Sequence, residues 1–524
     1  VRVKADACDA NEARASIVVE FQTRTGRFKQ EVIERRALLG SGSKVVADLV
    51  AAGLELADRK KAPNLLLDCL SEWVSEKQLR LADGFGWQEG SNTYVLPNGR
   101  VIGDEVVLPK ALVPCAAPKG TLAGWRDDVS RFCIGNPDLI LAVSASFASC
   151  LLRPLNENSG GLHFHGQSSS GKTSLLVTAA SVWSDPATLG SWRTTDNALE
   201  RQAAVHNDRA LLLDEFAQID ANAANRALYM LGNARGKERH ASQGLRWTVM
   251  TLSTGEITAS QKLAEAGKIQ MDGQAVRMLD IPVGDQAFGV FDQLHDAPDG
   301  RSFSDRLRTN AAEHYGTAGP ALLGGFLADR TAAMEKLAAS IAAFHAEAER
   351  LGPDTGDGLQ GRARTCFAVI AAAGEFASAQ GITGWPLGTA WQAALKRFHA
   401  WCASIGPGPQ ARAKAAAEAA ERHARDAALE QVRLLLLSHH KRVIDLDCTA
   451  ETRPADPVAW KKGGFFYVPG PVWERIHDDP IRATALLLKS GHLLRGDGAN
   501  MRAKVPTGVT GPSRAYKIRA DIMP

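Results

Sequence analysis

No two cysteines in this chain form a C-x-x-C pair; its eight cysteines, Cys69, Cys133 and Cys366 among them, are scattered. A zinc ribbon and a disulfide framework therefore have no basis in the sequence, and a reducing cytoplasm fits. Long apolar runs are missing too. None reaches the roughly 20 residues of a membrane-spanning helix, so no membrane partner is expected. An excess of one charge is also missing: 61 Lys and Arg against 58 Asp and Glu leave a net +3. Any nucleic-acid surface must then be a local patch. The opening Val-Arg-Val-Lys-Ala-Asp has neither a methionine nor a signal-peptide pattern, which leaves room for sequence upstream. What the chain does have is length. Its 524 residues exceed the size at which single cores stop growing, so several domains are expected.

Residues 160–174 read Gly-Gly-Leu-His-Phe-His-Gly-Gln-Ser-Ser-Ser-Gly-Lys-Thr-Ser and contain G-x-x-x-x-G-K-T, the Walker A pattern, from Gly166 to Thr173. The apolar run before it predicts a strand, and Ser174-Leu-Leu-Val-Thr-Ala-Ala predicts a helix straight after. Glycines let a backbone wrap a phosphate with its N–H groups inward, and a helix N-terminus adds partial positive charge. Gly166, Ser168, Ser169, Ser170, Gly171, Lys172, Thr173 and Ser174 are thus candidates for holding ATP. Lys172 suits the β- and γ-phosphates, and the Thr173 hydroxyl suits Mg²⁺.

About 40 residues on, Arg209-Ala-Leu-Leu-Leu-Asp-Glu-Phe predicts a buried strand ending in a carboxylate pair, the Walker B pattern. Asp214 is the candidate Mg²⁺ residue and Glu215 the candidate that polarises the attacking water. A helix over Ala221–Leu231 follows. Then comes a basic, Gly-punctuated excursion with Arg235, Lys237 and Arg239, suited to holding DNA phosphates without reading bases. Trp247-Thr-Val-Met-Thr-Leu-Ser predicts a strand. Ser253 or Thr254 at its end occupies the place of sensor 1 in AAA+ ATPases, a contact to the γ-phosphate or the catalytic water. Arg277 precedes another short strand and is either an arginine finger for a neighbouring subunit's nucleotide or a partner of a local carboxylate such as Asp280.

The flanks are less specific. Residues 1–118 read as an α+β domain: a hairpin around Thr25-Gly26, helices over Lys44–Leu56 and Leu65–Lys77, and short strands near Trp87, Tyr94 and Val101. Pro109–Gly120 reads as a linker. Residues 119–300 are the expected ATPase core, with helices over Gly124–Phe132 and Leu139–Leu152. Residues 301–406 form a helical lid with helices over Phe303–Tyr315 and Ala321–Leu351. Its later helix is similar to the helix of MCM-like lids that begins with the sensor 2 arginine, and Arg362 or Arg364, which helix spacing puts on different faces, is the candidate. After Gly406-Pro-Gly-Pro, residues 407–440 are a linker helix. Residues 441–524 read strand, helix, helix and two wing strands, a winged-helix-like domain with a basic bias suited to duplex phosphates.

The phrases G-Q-S-S-S-G-K-T, Leu-Leu-Leu-Asp-Glu, Leu252-Ser-Thr-Gly-Glu and Val276-Arg-Met-Leu-Asp-Ile-Pro, in this order, resemble the bacterial and phage family catalogued as domain of unknown function 927. The chain is also similar to the replicative helicases of staphylococcal cassette elements, which are similar to MCM rings. The resemblance covers the chain from about residue 16 and is most specific over 124–380. It implies an α/β AAA+ core working as a homo-oligomeric ring, a hexamer. ATP and Mg²⁺ would be its cofactors and DNA its track, with a single strand in the pore. It further implies replication of a mobile element alongside a primase or other replication proteins. The residues themselves support only nucleotide hydrolysis coupled to something. An ATPase that binds DNA and remodels a partner without unwinding it is the alternative.

Overall fold

The computed structural model describes residues 1–9, 12, 14–39, 42–58, 60–108, 117–236, 245–266, 277–351, 358–405, 409–448, 453–497, 500–507, 509 and 511–523. The chain divides into two units, Val1–Gly406 and Pro407–Pro524. Among the described residues no helix is long and apolar enough to cross a membrane.

The first unit opens with strands β1 (Arg2–Cys8), β2 (Ala15–Gln22) and β3 (Phe28–Glu34), helices α1 (Ser43–Ala51) and α2 (Ala62–Glu72), and strand β4 (Gln78–Leu81). The β-branched run of β2 packs on both faces. Ile17, Val19 and Phe21 lie against the helices, and Val18 lies against Ala5, Ala7 and Leu81. A small antiparallel sheet of β5 (Gly86–Trp87), β6 (Tyr94–Val95) and β7 (Val101–Ile102) follows, and β8 (Val106–Val107) completes the larger sheet in the order β3-β2-β1-β4-β8. Trp87 and Tyr94 anchor the small sheet. The Trp87 Nε1–H donates to the Cys150 carbonyl at 2.7 Å, and the Tyr94 hydroxyl donates to the Asp208 carbonyl at 2.9 Å. The Asp208 carboxylate accepts the Trp87 N–H and pairs with Arg153, each at 2.9 Å.

Next come α3 (Leu122–Asp128), α4 (Pro137–Ala148), β9 (Gly160–His165), α5 (Lys172–Ala180), β10 (Gly190–Ser191), α6 (Asp196–Val205) and β11 (Arg209–Asp214). They lead to α7 (Ala221–Asn233), β12 (Val249–Gly255), α8 (Ala259–Ala264) and β13 (Leu279–Pro282). The five strands form a wholly parallel sheet in the order β10-β11-β12-β9-β13. Such a sheet must be covered on both faces. Ala210 and Leu212 of β11 enter the main core with α4 and α5, while Leu211 and Leu213 enter a second core with Trp192, Leu199, Leu228 and Trp247. Helix α4 is buried along its whole length from Asp138 to Ala148, as a helix apolar all round must be.

The rest of the first unit is helical: α9 (Gly300–Glu313), α10 (Ala318–Ala328), α11 (Arg330–Leu351), α12 (Gly358–Ala379) and α13 (Thr389–Ile405). The continuous helix expected over Ala321–Leu351 is instead two, broken at Asp329, whose carboxylate accepts the Ala332 N–H at 3.0 Å and caps the second. Most of the expected Pro109–Gly120 linker lies outside the described residues.

The second unit begins with α14 (Pro409–Ser438), then β14 (Val443–Asp445), β15 (Ala459–Lys462), β16 (Phe465–Pro469), α15 (Gly470–Ile476) and α16 (Pro480–Lys489). It ends with β17 (Leu493–Leu494), β18 (Ala503–Lys504) and β19 (Arg514–Arg519). The expected strand, helix, helix order is present from residue 465 and is followed by three strands rather than two; β14 and β15 extend the sheet to β14-β15-β16-β19-β17, with β18 paired to β19. Trp473 is fully buried in its core and stacks on Tyr516.

Candidate functional site

The loop joining β9 to α5 is shaped by close approaches. A Cβ on Gly166 would stand 2.3 Å from the Val283 carbonyl oxygen, so only glycine fits there. Gly171 has φ +93°, and a Cβ on it would meet Val290 Cγ2 at 2.8 Å and the Phe291 ring at 3.1 Å. Ser169 also lies in the left-handed region, at φ 62°. Helix α5 starts at Lys172, two residues earlier than its apolar residues indicate. The Lys172 ammonium donates to the loop's own carbonyls, to Gly166 at 2.9 Å and to Gln167. Burial lowers the Lys172 pKa, while Glu256 and Asp214 act against that. Ser168, Ser169, Ser170 and Thr173 line a cleft of about 880 Å³ with Asp214 and Glu215. Ser174 reaches the same wall but is 2% exposed and packs inward.

Three elements converge on Asp214, the last residue of β11. The Thr173 hydroxyl from α5 donates to Oδ2 at 2.9 Å, and the Thr254 hydroxyl from β12 donates to Oδ1. The Glu215 N–H donates to Oδ1 at 2.9 Å. Glu215 adopts φ 66°, a conformation a non-glycine residue holds at a cost and one that clusters at functional sites. It turns the carboxylate out of the strand and leaves it exposed on the cleft wall.

Ser253 points the other way. It is fully buried, accepts the Trp192 Nε1–H at 2.7 Å and bonds to His163 Nδ1 at 2.8 Å. His163 Nε2 lies 2.9 Å from the Ile257 carbonyl, so its proton sits there and Nδ1 accepts from Ser253. Burial brings the His163 pKa down to about 4, which keeps the ring neutral. Of the two hydroxyls expected as sensor, Thr254 reaches the acidic pair and Ser253 does not, because neighbours on a strand face opposite sides.

The arginines separate as well. Arg277 precedes β13, its carbonyl near Gly160 at the start of β9, roughly 16 Å along the strand from the loop before α5. Its guanidinium lies 5.8 Å from the ring of Tyr229, which is 56% exposed. Asp280 does not pair with it; its carboxylate accepts the Ala259 N–H at 3.0 Å at the start of α8. Arg362 donates to the Gly358 carbonyl at the exposed start of α12, and Arg364 pairs with Glu349 at 2.7 Å. Neither lines the cleft. Arg301 and Arg308 of α9 do, seven residues apart and therefore on one helix face, with Ser304 and Asp305 between them. Neither guanidinium has an ion-pair partner among the described residues. Sequence reasoning missed both, although two arginines at that spacing on the first helix after β13 are a readable signal. Lys237 and Arg239 lie outside the described residues. Arg235 is exposed and bridges antiparallel to Arg246, and Gly236 N–H donates to Leu245 O at 2.8 Å, so the described ends of the excursion pair with each other.

The donor set suits a hard cation. The Thr173 hydroxyl and the Asp214 carboxylate are adjacent oxygens at the mouth of the loop. Among the described residues no cluster of three or more His, Cys, Asp or Glu could cage a metal by itself. Mg²⁺ typically takes one or two protein oxygens and fills its octahedron with phosphates and water, which fits this arrangement.

Comparison with known proteins agrees with the motif resemblance. Residues 1–249 match the family model described as domain of unknown function (DUF927). No curated protein matches the chain in sequence. Among solved structures, "SCCmec type IV Cch - active helicase" is similar over 99% of this chain and 93% of that one, with a TM-score of 0.58 at 17% identity. At that identity the likeness is one of fold. The apo A form of the NrS-1 C-terminal region aligns over 72% of this chain and 87% of that one at 11% identity, with a TM-score of 0.26.

Proposed function

We propose that this protein is an Mg·ATP-hydrolysing DNA helicase, an AAA+ motor of the MCM-like kind that works as a hexameric ring in replication of a mobile element. The observation that carries the reading is the convergence of Thr173, Thr254 and the Glu215 backbone on one carboxylate, Asp214, beside a lysine-bearing glycine loop. In this reading the backbone of residues 166–173 and Lys172 hold the triphosphate, and Thr173 and Asp214 hold Mg²⁺. Bound there, the cation would supply positive charge to offset what develops on the phosphates. Glu215, exposed to the cleft, orients the attacking water and takes its proton. Thr254 moves between Asp214 and the terminal phosphate.

Arg301 and Arg308 take the place first given to Arg362, since they share the cleft with the loop. Arg277 stands too far along the sheet to serve its own subunit's nucleotide, and its place beside an exposed tyrosine suits action on a neighbour. That supports a ring. The exposed place of Arg235, paired with Arg246, supports it as a contact to the DNA backbone. The fold likeness to a protein titled an active helicase supports unwinding as the coupled work.

Strand displacement on a forked DNA substrate with Mg·ATP tests the proposal. Displacement that stops in the Lys172→Ala protein is the expected result. DNA-stimulated hydrolysis without displacement would replace unwinding with the remodelling alternative.

A further inference from the structure

The segment Val283–Gln293, between β13 and α9, runs beside the phosphate loop, and its Phe288, Gly289 and Phe291 line the cleft with it. Its Val283 N–H donates to the His165 carbonyl at 2.9 Å, and its Val290 N–H donates to the Ser170 carbonyl at 2.8 Å. Gly289, at φ +75°, lets the backbone pass so close that a Cβ there would stand 2.4 Å from the same Ser170 oxygen. Phe291 packs beneath Gly171. The conformation of the loop at Ser170 and Gly171 therefore depends on where this strap sits.

The strap is held from two sides. From α4 and the residue before it, the Asn136 side-chain oxygen accepts the Asp292 and Gln293 N–H groups at 2.8 and 2.9 Å, and Asp138 accepts from the Gln286 amide at 2.6 Å. From α13, Lys396 pairs with Asp292 at 3.3 Å, and Arg397 donates to Asp285 at 3.2 Å and to Asp138 at 2.8 Å. Arg397 is 1% exposed, Asp138 is fully buried, and the Asp285 side chain is 67% exposed. A buried ion pair is a poor source of stability, since apolar residues of the same volume pack as well without desolvating charge. Asp138 is already a partner of Arg397 inside the core. The added bond to Asp285 fixes only one thing, the place of the strap relative to α13.

We propose that Arg397 and Asp285 are positioning residues for nucleotide turnover: their bond ties helix α13 to the strap and so sets the conformation of the phosphate loop. The inference rests on the hydrolytic reading above and extends it to the helical region. A shift of α13 during the cycle reaches Ser170 through the strap, and the loop's state reaches α13 by the same bond. Touching neither the substrate nor the reacting atoms, the pair acts through the loop.

The test is steady-state Mg·ATP hydrolysis by the full chain carrying Asp285→Ala, with Asp285→Glu as the conservative variant and thermal melting as the control for folding. Asp285 is exposed and Arg397 keeps Asp138, so the variant folds. Water screens the exposed Asp285 carboxylate, so kcat should fall about two- to fivefold, while KM stays near the wild-type value, melting is unchanged and Asp285→Glu recovers the rate. Arg397→Lys, which keeps the charge but loses the planar fork, should lower kcat in the same sense. Unchanged kcat and KM in Asp285→Ala overturn the inference. So does a loss that tracks a lowered melting temperature and is not recovered by Asp285→Glu. Absence of hydrolysis in the wild-type chain would instead remove the parent reading, so the two failures are distinct.

Discussion

The adjacent hydroxyls of Ser253 and Thr254 offer a sharp separation of catalysis from stability. Thr254→Val keeps volume and β-branching but removes the donor to Asp214. Asp214 retains the Thr173 hydroxyl and the Glu215 N–H and is partly open to water, so folding should lose at most about 1 kcal/mol. Turnover should lose more. A hydrogen bond to a charged oxygen contributes roughly 1.5–3 kcal/mol, so kcat should fall roughly 10–100-fold, and Thr254→Ser should recover most of it. Ser253→Ala should do the reverse. It orphans the buried Trp192 Nε1–H and His163 Nδ1 at a cost of roughly 1–3 kcal/mol each, which should lower the melting temperature by several degrees. Its hydrolysis rate below that temperature should match wild type. Phosphate-release assays and thermal melts on the two variants decide the matter. A silent Thr254→Val beside an inactive, fully stable Ser253→Ala would refute the geometry argued here.

Three further outcomes follow from the same site. Gly171→Ala forces a side chain into a left-handed position, at about 1–2 kcal/mol, and against Val290 and Phe291. A fluorescent ATP analogue should then bind at least about tenfold more weakly, and unchanged affinity would show that the loop tolerates the clash. Arg308→Ala should lower kcat while Arg362→Ala leaves it unchanged in the same phosphate-release assay; the opposite pattern would return the sensor role to α12. The third concerns acid. His163 has a folded pKa of about 4 against an ordinary value of 6.5, so the unfolded chain takes the proton first. Its contribution to stability is complete above about pH 6.5 and is lost as pH falls toward 4, with a slope of up to about 1.4 kcal/mol per pH unit. Denaturation curves of His163→Gln should be flatter by that slope across the window, and identical slopes would contradict the neutral, Ser253-bonded ring.

Much of the fold is readable because its elements carry strong local signals. The runs in β11 and β12 are apolar and end in acid, hydroxyl or glycine residues, β9 leads directly into Gly166, and the loop before α5 has its motif in one continuous stretch. Other elements are quiet. Strand β1 alternates correctly, but its inward residues are Val3, Ala5 and Ala7, too small to stand out. Strands β14 and β15 are three and four residues long; β14 exists through its pairing with β15, and β15 through its pairing with β16. The break at Asp329 was hidden because Ala and Leu continue on both sides of it. In the candidate site, residues of one loop or strand end are legible, whereas those brought by packing are not. Arg301 and Arg308 reach the cleft because α9 folds back over it, and the choice between Ser253 and Thr254 depends on which side of β12 faces Asp214. The Asp285–Arg397 bond joins residues 112 positions apart, and neither stands in a motif.

The central claim, that Asp214, Glu215 and the loop at Lys172 cut a nucleoside triphosphate, is tested most directly by phosphate release and nucleotide retention measured together on wild type and Glu215→Gln. The account predicts that wild type releases phosphate from Mg·ATP, whereas the variant binds the nucleotide as tightly and retains it uncut. A Glu215→Gln protein that turns over at the wild-type rate, or a wild-type chain that binds no Mg·ATP, would contradict it.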